Sequence, residues 1–179
     1  LKFMKKDHDL AQAYQAIDRL HGAGLIYDAH IMTGVAGKGR GMENAEALAQ
    51  FLNRTNPAHV VNFSMFLHKE VPLYQDIRQG TFVPADELET IREEYHLIER
   101  IAPEKVGANI LYDGFHDFIH VRVRGHLPGD KEKMLAKLNG IIQEYEGKEP
   151  VYSFVQGECP DLEYCDDGKA VWDMDRKTS

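Results

Sequence analysis

The chain has 179 residues, 43% of them hydrophobic, which suits one domain with a buried core. Its 29 acidic residues outnumber 21 basic ones for a formal charge of -8. With Lys and Arg scattered, that balance excludes a general nucleic-acid surface, which needs clustered cations to displace counterions from phosphates. Residues Asp7 to His21 predict an amphipathic helix, with Leu10, Ala13, Tyr14, Ile17 and Leu20 on one face, Asp7 as N-cap, and Gly22 and Gly24 as stops. "LIYDAHIM", Leu25 to Met32, reads as a buried strand running into the glycine-rich turn "TGVAGKGRG". A second helix carries Ala45, Leu48, Ala49 and Leu52 and ends before Pro57; "HVVNFSMFL" is the next strand. Strand, helix and strand make a βαβ unit with parallel strands and a right-handed crossover.

"VPLYQDIRQG" predicts a short helix or turn. "PADELETIREEYHLIERIA" predicts a long helix with Leu88, Ile91, Tyr95, Ile98 and Ile101 buried and Glu87, Glu89, Arg92, Glu93, Glu94 and Glu99 on a solvated face. "VGANILYD" and "DFIHVRVRG" read as strands; in the second, Ile119, Val121 and Val123 alternate with His120, Arg122 and Arg124, so one face is wet. The last helix runs from a cap at Asp130 to Gly147, followed by a weak strand signal at "VYSFV" and a polar tail. No apolar run approaches the ~20 residues that cross a bilayer, and "LKFMKKDHDL" lacks the apolar core of a signal peptide. Cys159 and Cys165 give no disulfide framework and suit a reducing compartment. The expectation is a cytoplasmic protein with neither a membrane nor a nucleic-acid partner.

The glycine turn fits neither common phosphate motif. Lys38 is followed by Gly39 rather than Ser or Thr, and Gly37, Gly39 and Gly41 fall on alternate positions. A looser cradle of backbone N–H groups beside Lys38 and Arg40 remains open, as does a plain flexible turn. On "VVNFSMFL", Asn62 and Ser64 share a face opposite Val61, Phe63, Met65 and Leu67. In a β/α barrel, polar groups at the carboxyl ends of strands converge on the ligand, so Thr33, Gly34, Asn62 and Ser64 are candidates for one rim. His116, His120 and His126, with Asp113 and Asp117 nearby, are candidate metal ligands or surface histidines. His30 with Asp28 is a candidate proton-transfer pair or an ordinary core histidine. Lys2, Lys5 and Lys6 read as a solvated helix entrance.

The ordered series "HGAG", "IMTG", "VAGKGRG", "MENAEALAQFL", "NPAHV" and "VPLYQDIRQG", from Met4 to Phe82, resembles the second half of a radical S-adenosylmethionine enzyme. It is similar to the branch that contains oxygen-independent coproporphyrinogen oxidases and related iron-sulfur oxidoreductases. The resemblance implies a partial (β/α) barrel over residues 1–82, the second half of a radical SAM barrel, with a C-terminal α+β extension packed on it over 83–179. It further implies that Ile31 and Gly34, with Ser64 and Phe66 on the next strand, contribute to the adenine site of S-adenosylmethionine, the glycines making room for the purine; Thr33 and Asn62, placed on the same rim by the strand pattern, complete the candidate cofactor-binding set. Where the longer family motif has Glu, this chain has Gly37. The family's [4Fe-4S] cluster is held by three clustered cysteines, absent here, so the chain by itself is expected to bind no cluster and to be inactive. Together with Leu1 at the start, this leads us to expect a C-terminal piece of a longer enzyme. Its partners would be the missing N-terminal half of the barrel, a substrate of unknown identity, or a second copy covering an open sheet face. The competing expectation is a non-catalytic phosphate- or metal-binding α/β module, and a third is a ligand-free dimerising domain.

Overall fold

A computed structural model describes residues 6–103, 107–153, 162–164 and 170–172. The first helix, α1 (Leu10–Gly22), is capped two residues later than Asp7, because Asp9 and Gln12 form a reciprocal capping box: each side chain bonds the other's backbone N–H at 2.8 Å. Strand β1 (Asp28–Thr33) likewise begins after the expected Leu25; Leu25 and Ile26 lie in the exposed approach to it. Helix α2 (Gly41–Thr55) ends at Asn56, whose φ of 44° reverses the chain into β2 (His59–Ser64). After α3 (Pro72–Arg78), helix α4 (Glu87–Arg100) is capped by Asp86, which accepts the Glu89 N–H at 2.8 Å.

Strands β3 (Ile110–His116) and β4 (Val121–Leu127) form a hairpin rather than the continuous alternation expected from Ile119 onward. A 3-10 turn at Asp117–Ile119 and a left-handed His120, φ 54°, close the four-residue connection. Helix α5 (Lys131–Tyr145) follows. Asp130 precedes it but spends its carboxyl on the His126 N–H (2.8 Å) instead of capping the helix. Of "VYSFV", residues 151–153 form no strand. They bridge two elements: the Val151 carbonyl accepts the Glu87 N–H and the Ser153 carbonyl accepts that of Leu67. Two short strands, β5 (Leu162–Tyr164) and β6 (Ala170–Trp172), pair antiparallel in a separate ladder.

The main sheet has the order β1-β2-β3-β4, with β1, β2 and β3 parallel and β4 antiparallel. The chain is therefore α/β with a mixed four-stranded sheet. The sheet runs without interruption across residue 82, since β2 pairs directly with β3.

Helix α4 packs between α2 and α5, and α2 and α5 also contact β1 and β4 respectively. The face beneath this layer supplies Ala29, Val60, Tyr112, Val123 and Leu127 to one core with Leu52, Ile91, Leu97, Ile98 and Leu138 of the helices. A smaller cluster of Met65, Leu67, Tyr74, Ile77 and Phe82 forms around α3, with Met32 against it.

The other side chains of the sheet make an open face. In register, it reads Met32, Phe63, Phe115 and Arg122 at the carboxyl ends of the parallel strands. His30, Val61, Asp113 and Arg124 form the next row, then Asp28, His59, Leu111 and His126. Except for Asp113, all of these are half-buried or exposed. Among the described residues, no helix is long and apolar enough to cross a membrane.

Candidate functional site

The charged face expected for α4 is the largest departure from the sequence reading. Glu87, Glu93 and Glu94 are buried, at 2%, 2% and 0% exposure, because α4 is flanked on both sides by helices and lies over the sheet. A buried carboxyl group must be hydrogen-bonded or charge-paired, and here the strand ends supply the partners. His116, the last residue of β3 and itself fully buried, places Nδ1 2.9 Å from Glu87 Oε2 and Nε2 3.0 Å from Glu94 Oε2. An imidazole with a carboxyl oxygen at each nitrogen donates from both, which only the protonated ring can do. Burial alone would lower the His116 pKa; attraction to Glu94 and the hydrogen bonds donated to both glutamates outweigh it and raise the value to about 10.

The remaining oxygens are also occupied. Glu94 Oε1 accepts from Tyr112 Oη at 2.9 Å and Asn62 Nδ2 at 3.1 Å. Burial, with Glu94 alongside, pushes the Tyr112 phenol well above its usual range. Glu87 Oε1 accepts from Ser64 Oγ at 3.0 Å, and its Oε2 lies 3.4 Å from Thr90 Oγ1. Glu93 accepts Asn44 Nδ2 at 2.6 Å and the Gly34 N–H at 3.0 Å. Burial raises its pKa to about 7, opposed by those two bonds and by His116. The arrangement fastens α4 to the carboxyl ends of β1, β2 and β3. A side-chain carbon at Gly114 would fall on Glu94 Oε1, so that glycine is what admits the carboxyl group.

Most residues expected to contact adenine belong to this buried layer. Thr33 and Ser64 are register partners, as are Ile31 and Asn62, so the structure brings them together at the strand ends. They face the helices, however. Asn62 and Ser64 are bonded to Glu94 and Glu87, Thr33 Oγ1 lies 3.4 Å from the Phe63 carbonyl, and Ile31 packs on the main core. Gly34 is covered by α4: a Cβ there would come within 2.8 Å of Thr90 Cγ2. The glycines expected to admit a purine thus admit the protein's own side chains, Thr90 at Gly34 and Phe82 at Gly37. Of the six, Phe66 is exposed, at 52%.

The phosphate cradle is likewise closed. The Gly37 N–H goes to the Gly34 carbonyl, that of Lys38 to Val83, and that of Arg40 back to Gly37. The turn borders a cleft of about 190 Å³ against α4, lined by Gly39, Gly41, Glu89, Arg92, Glu93 and His96 among others. Its carboxyl groups oppose an anion; burial and neighbouring Asp86 raise the pKa of Glu89, partly offset by Lys38. The candidate histidine ligands diverge: His116 points into the helix layer, His120 is exposed in the turn, and His126 lies on the open face. Among the described residues, no group of three His, Cys, Asp or Glu side chains is arranged to hold a metal ion. Asp28 and His30 are exposed on the open face rather than a buried pair. Cys159, Cys165, Lys2 and Lys5 lie outside the described residues; Lys6 is exposed.

The open face has its own polar constellation. Asp113 accepts both Nε (2.8 Å) and Nη2 (2.6 Å) of Arg122, which holds its carboxyl below the usual range. Arg124 reaches the same carboxyl only at 3.7 Å. Phe63 and Phe115 stack with centroids 5.3 Å apart, and the Arg122 guanidinium lies 4.7 Å from the Phe115 ring centroid. The sequence signal for this face was the alternation in "HVRVRG"; nothing local signalled the buried cluster's partners. Comparison with protein-family models, with curated proteins and with solved structures finds no match.

Proposed function

We propose that the chain contributes parallel strands to the barrel of a radical S-adenosylmethionine iron-sulfur oxidoreductase, as its C-terminal portion, and is inactive by itself. The observation that carries this reading is the one-sided sheet. Parallel strands joined by helical crossovers normally have helices on both faces, whereas β1, β2 and β3 are covered by α2, α4 and α5 on one face, and among the described residues only the α3 cluster meets the other, at Met32. A barrel has that same asymmetry, with helices outside and strand side chains lining the interior. On this reading the open face is the lumen, and Met32, Phe63 and the exposed Phe66, at or just beyond the carboxyl ends of β1 and β2, form the rim.

The chain's residues do not fit the [4Fe-4S] cluster. Its two cysteines, Cys159 and Cys165, fall short of three thiolate ligands, so any cluster belongs to residues outside this sequence and no step is derived through it. Nor do Thr33, Asn62 and Ser64 fit the adenine, since their side chains are engaged beneath α4. This chain's part in cofactor binding is then confined to the rim and the open face.

The test is S-adenosylmethionine binding, by calorimetry, to a protein in which a cysteine-bearing N-terminal barrel half precedes this chain. Binding that weakens on Phe63→Asp supports the proposal. A folded, cluster-loaded protein that fails to bind the cofactor rejects it.

A further inference from the structure

We propose that the open sheet face binds a small organic carboxylate, its apolar body on Val61, Phe63 and Phe115 and its carboxylate at Arg124. As a statement of substrate class, the inference rests on the reading of that face as a barrel lumen.

The argument begins with charge. The protein carries -8 overall, yet the carboxyl-terminal two rows of this face hold two guanidinium groups against the single carboxyl of Asp113. Arg122 takes both Asp113 oxygens, at 2.8 and 2.6 Å, in the bidentate geometry that makes guanidinium–carboxylate pairs strong. Arg124 is left with a 3.7 Å approach to an oxygen already bonded to Arg122, outside hydrogen-bonding range, and its side chain is 54% exposed. Among the described residues, Arg124 thus has only this long ion pair, without the two short bonds of Arg122, and its planar fork matches a carboxylate.

The apolar half of the ligand follows from the neighbours. Val61 and Asp113 share the row of Arg124, and Phe63 and Phe115 stand in the row above, toward the strand ends where α/β proteins bind their ligands. All three apolar side chains are only partly buried. Arg122, fixed by Asp113 and lying over Phe115, extends the flat surface rather than adding a free charge. A ligand complementary to this layout has an anionic end and a flat or aliphatic body spanning two strands.

The experiment titrates the full 179-residue chain, isotopically labelled, with 1-naphthoate and with the neutral 1-naphthamide, and follows backbone amide resonances. The expected result is saturable naphthoate shifts centred on Phe63, Phe115 and Arg124, with binding about fivefold to tenfold weaker for naphthamide and for naphthoate on Arg124→Gln. Arg124→Lys, which keeps the charge, should recover part of the loss. Both variants change a half-exposed side chain, and an unaltered spectral dispersion confirms folding. Equal affinity for naphthamide, indifference to Arg124→Gln, or shifts centred on the cleft beside Gly39 would each overturn the proposal. So would concentration-dependent broadening of the same amides without ligand, which would give the face to a second copy of the chain. Cofactor binding in the extended protein is a separate readout: naphthoate binding without it would leave a carboxylate site on a different kind of protein. The converse would keep the barrel and discard the substrate class.

Discussion

Replacing His116 by Leu removes the one cation between two buried carboxyl groups, and its cost can be worked from two directions. Breaking a buried charge pair by deleting one partner costs about 3–5 kcal/mol, because the remaining charge is stranded. His116 has two such partners, at 2.9 and 3.0 Å, both essentially inaccessible to water. Through the same contacts, a pKa raised from 6.5 to about 10 corresponds to about 5 kcal/mol of preference for the protonated ring in the folded state. The sign follows from the direction. Since the folded value exceeds the unfolded one, this stability is fully present below pH 6.5, declines above it and is gone once pH passes about 10. Urea denaturation of the wild type and His116→Leu between pH 5.5 and 10 is the assay. The expected gap is about 3–5 kcal/mol at the acid end and narrows as pH rises. A double variant, His116→Leu with Glu94→Gln, should be less destabilised than the two single changes added together. A gap under about 1 kcal/mol at pH 6, or one that does not narrow with pH, would refute the clamp.

Glu93 should impose a second slope at lower pH. Its folded pKa of about 7 lies above the ordinary 4.5, so stability present below pH 4.5 is lost as pH rises through 7, and Glu93→Gln should flatten that stretch of the urea profile. Gly34→Ala combines a φ of +83° with a Cβ 2.8 Å from Thr90 Cγ2; a loss of about 2–4 kcal/mol is expected in thermal or urea melts, partly recovered by Thr90→Ser, which deletes the opposing methyl group. Gly114→Ala, which drives a methyl onto Glu94, should unfold the protein or cost at least about 3 kcal/mol, whereas Gly140→Ala, with open space around it in α5, should be neutral or slightly stabilising by circular dichroism melts.

The layout of elements was largely legible in the sequence because it depends on local patterns. Three- and four-residue spacing marked α1, α2, α4 and α5, and the turn at Asn56 and Pro57 separated α2 from β2. The parallel pairing of β1 and β2 followed from the helix between them. For the glutamates of α4, charge points to a solvated face while position points inward. Glu87, Ile91, Glu94 and Ile98 step by four, three and four residues, so two of the acids fall in the same stripe as the buried isoleucines. That periodicity was a usable signal. What the local sequence does not contain is the partner set, since His116 and Tyr112 come from β3, Asn62 from β2 and Asn44 from α2. The polar strand residues Asn62 and Ser64 were correctly singled out as unusual, but a strand pattern does not say whether a polar face meets a ligand or a buried carboxyl group.

A carboxyl group bonded to a histidine resembles an acid–base pair, yet two physical facts exclude that use of the cluster in this conformation. Both His116 nitrogens donate to glutamate oxygens, leaving no lone pair to accept a substrate proton. Neither Glu94 nor His116 exposes any surface to a substrate. To open the cluster, α4 would have to lift and expose Ile91, Leu97 and Ile98, each fully buried. At about 1.5–3 kcal/mol per side chain that amounts to roughly 5–9 kcal/mol, comparable to the whole stability of an ordinary domain. The cluster therefore holds the strand ends in place. Across the sheet, by contrast, Phe63, Phe115, Arg122 and Arg124 meet solvent without any such rearrangement.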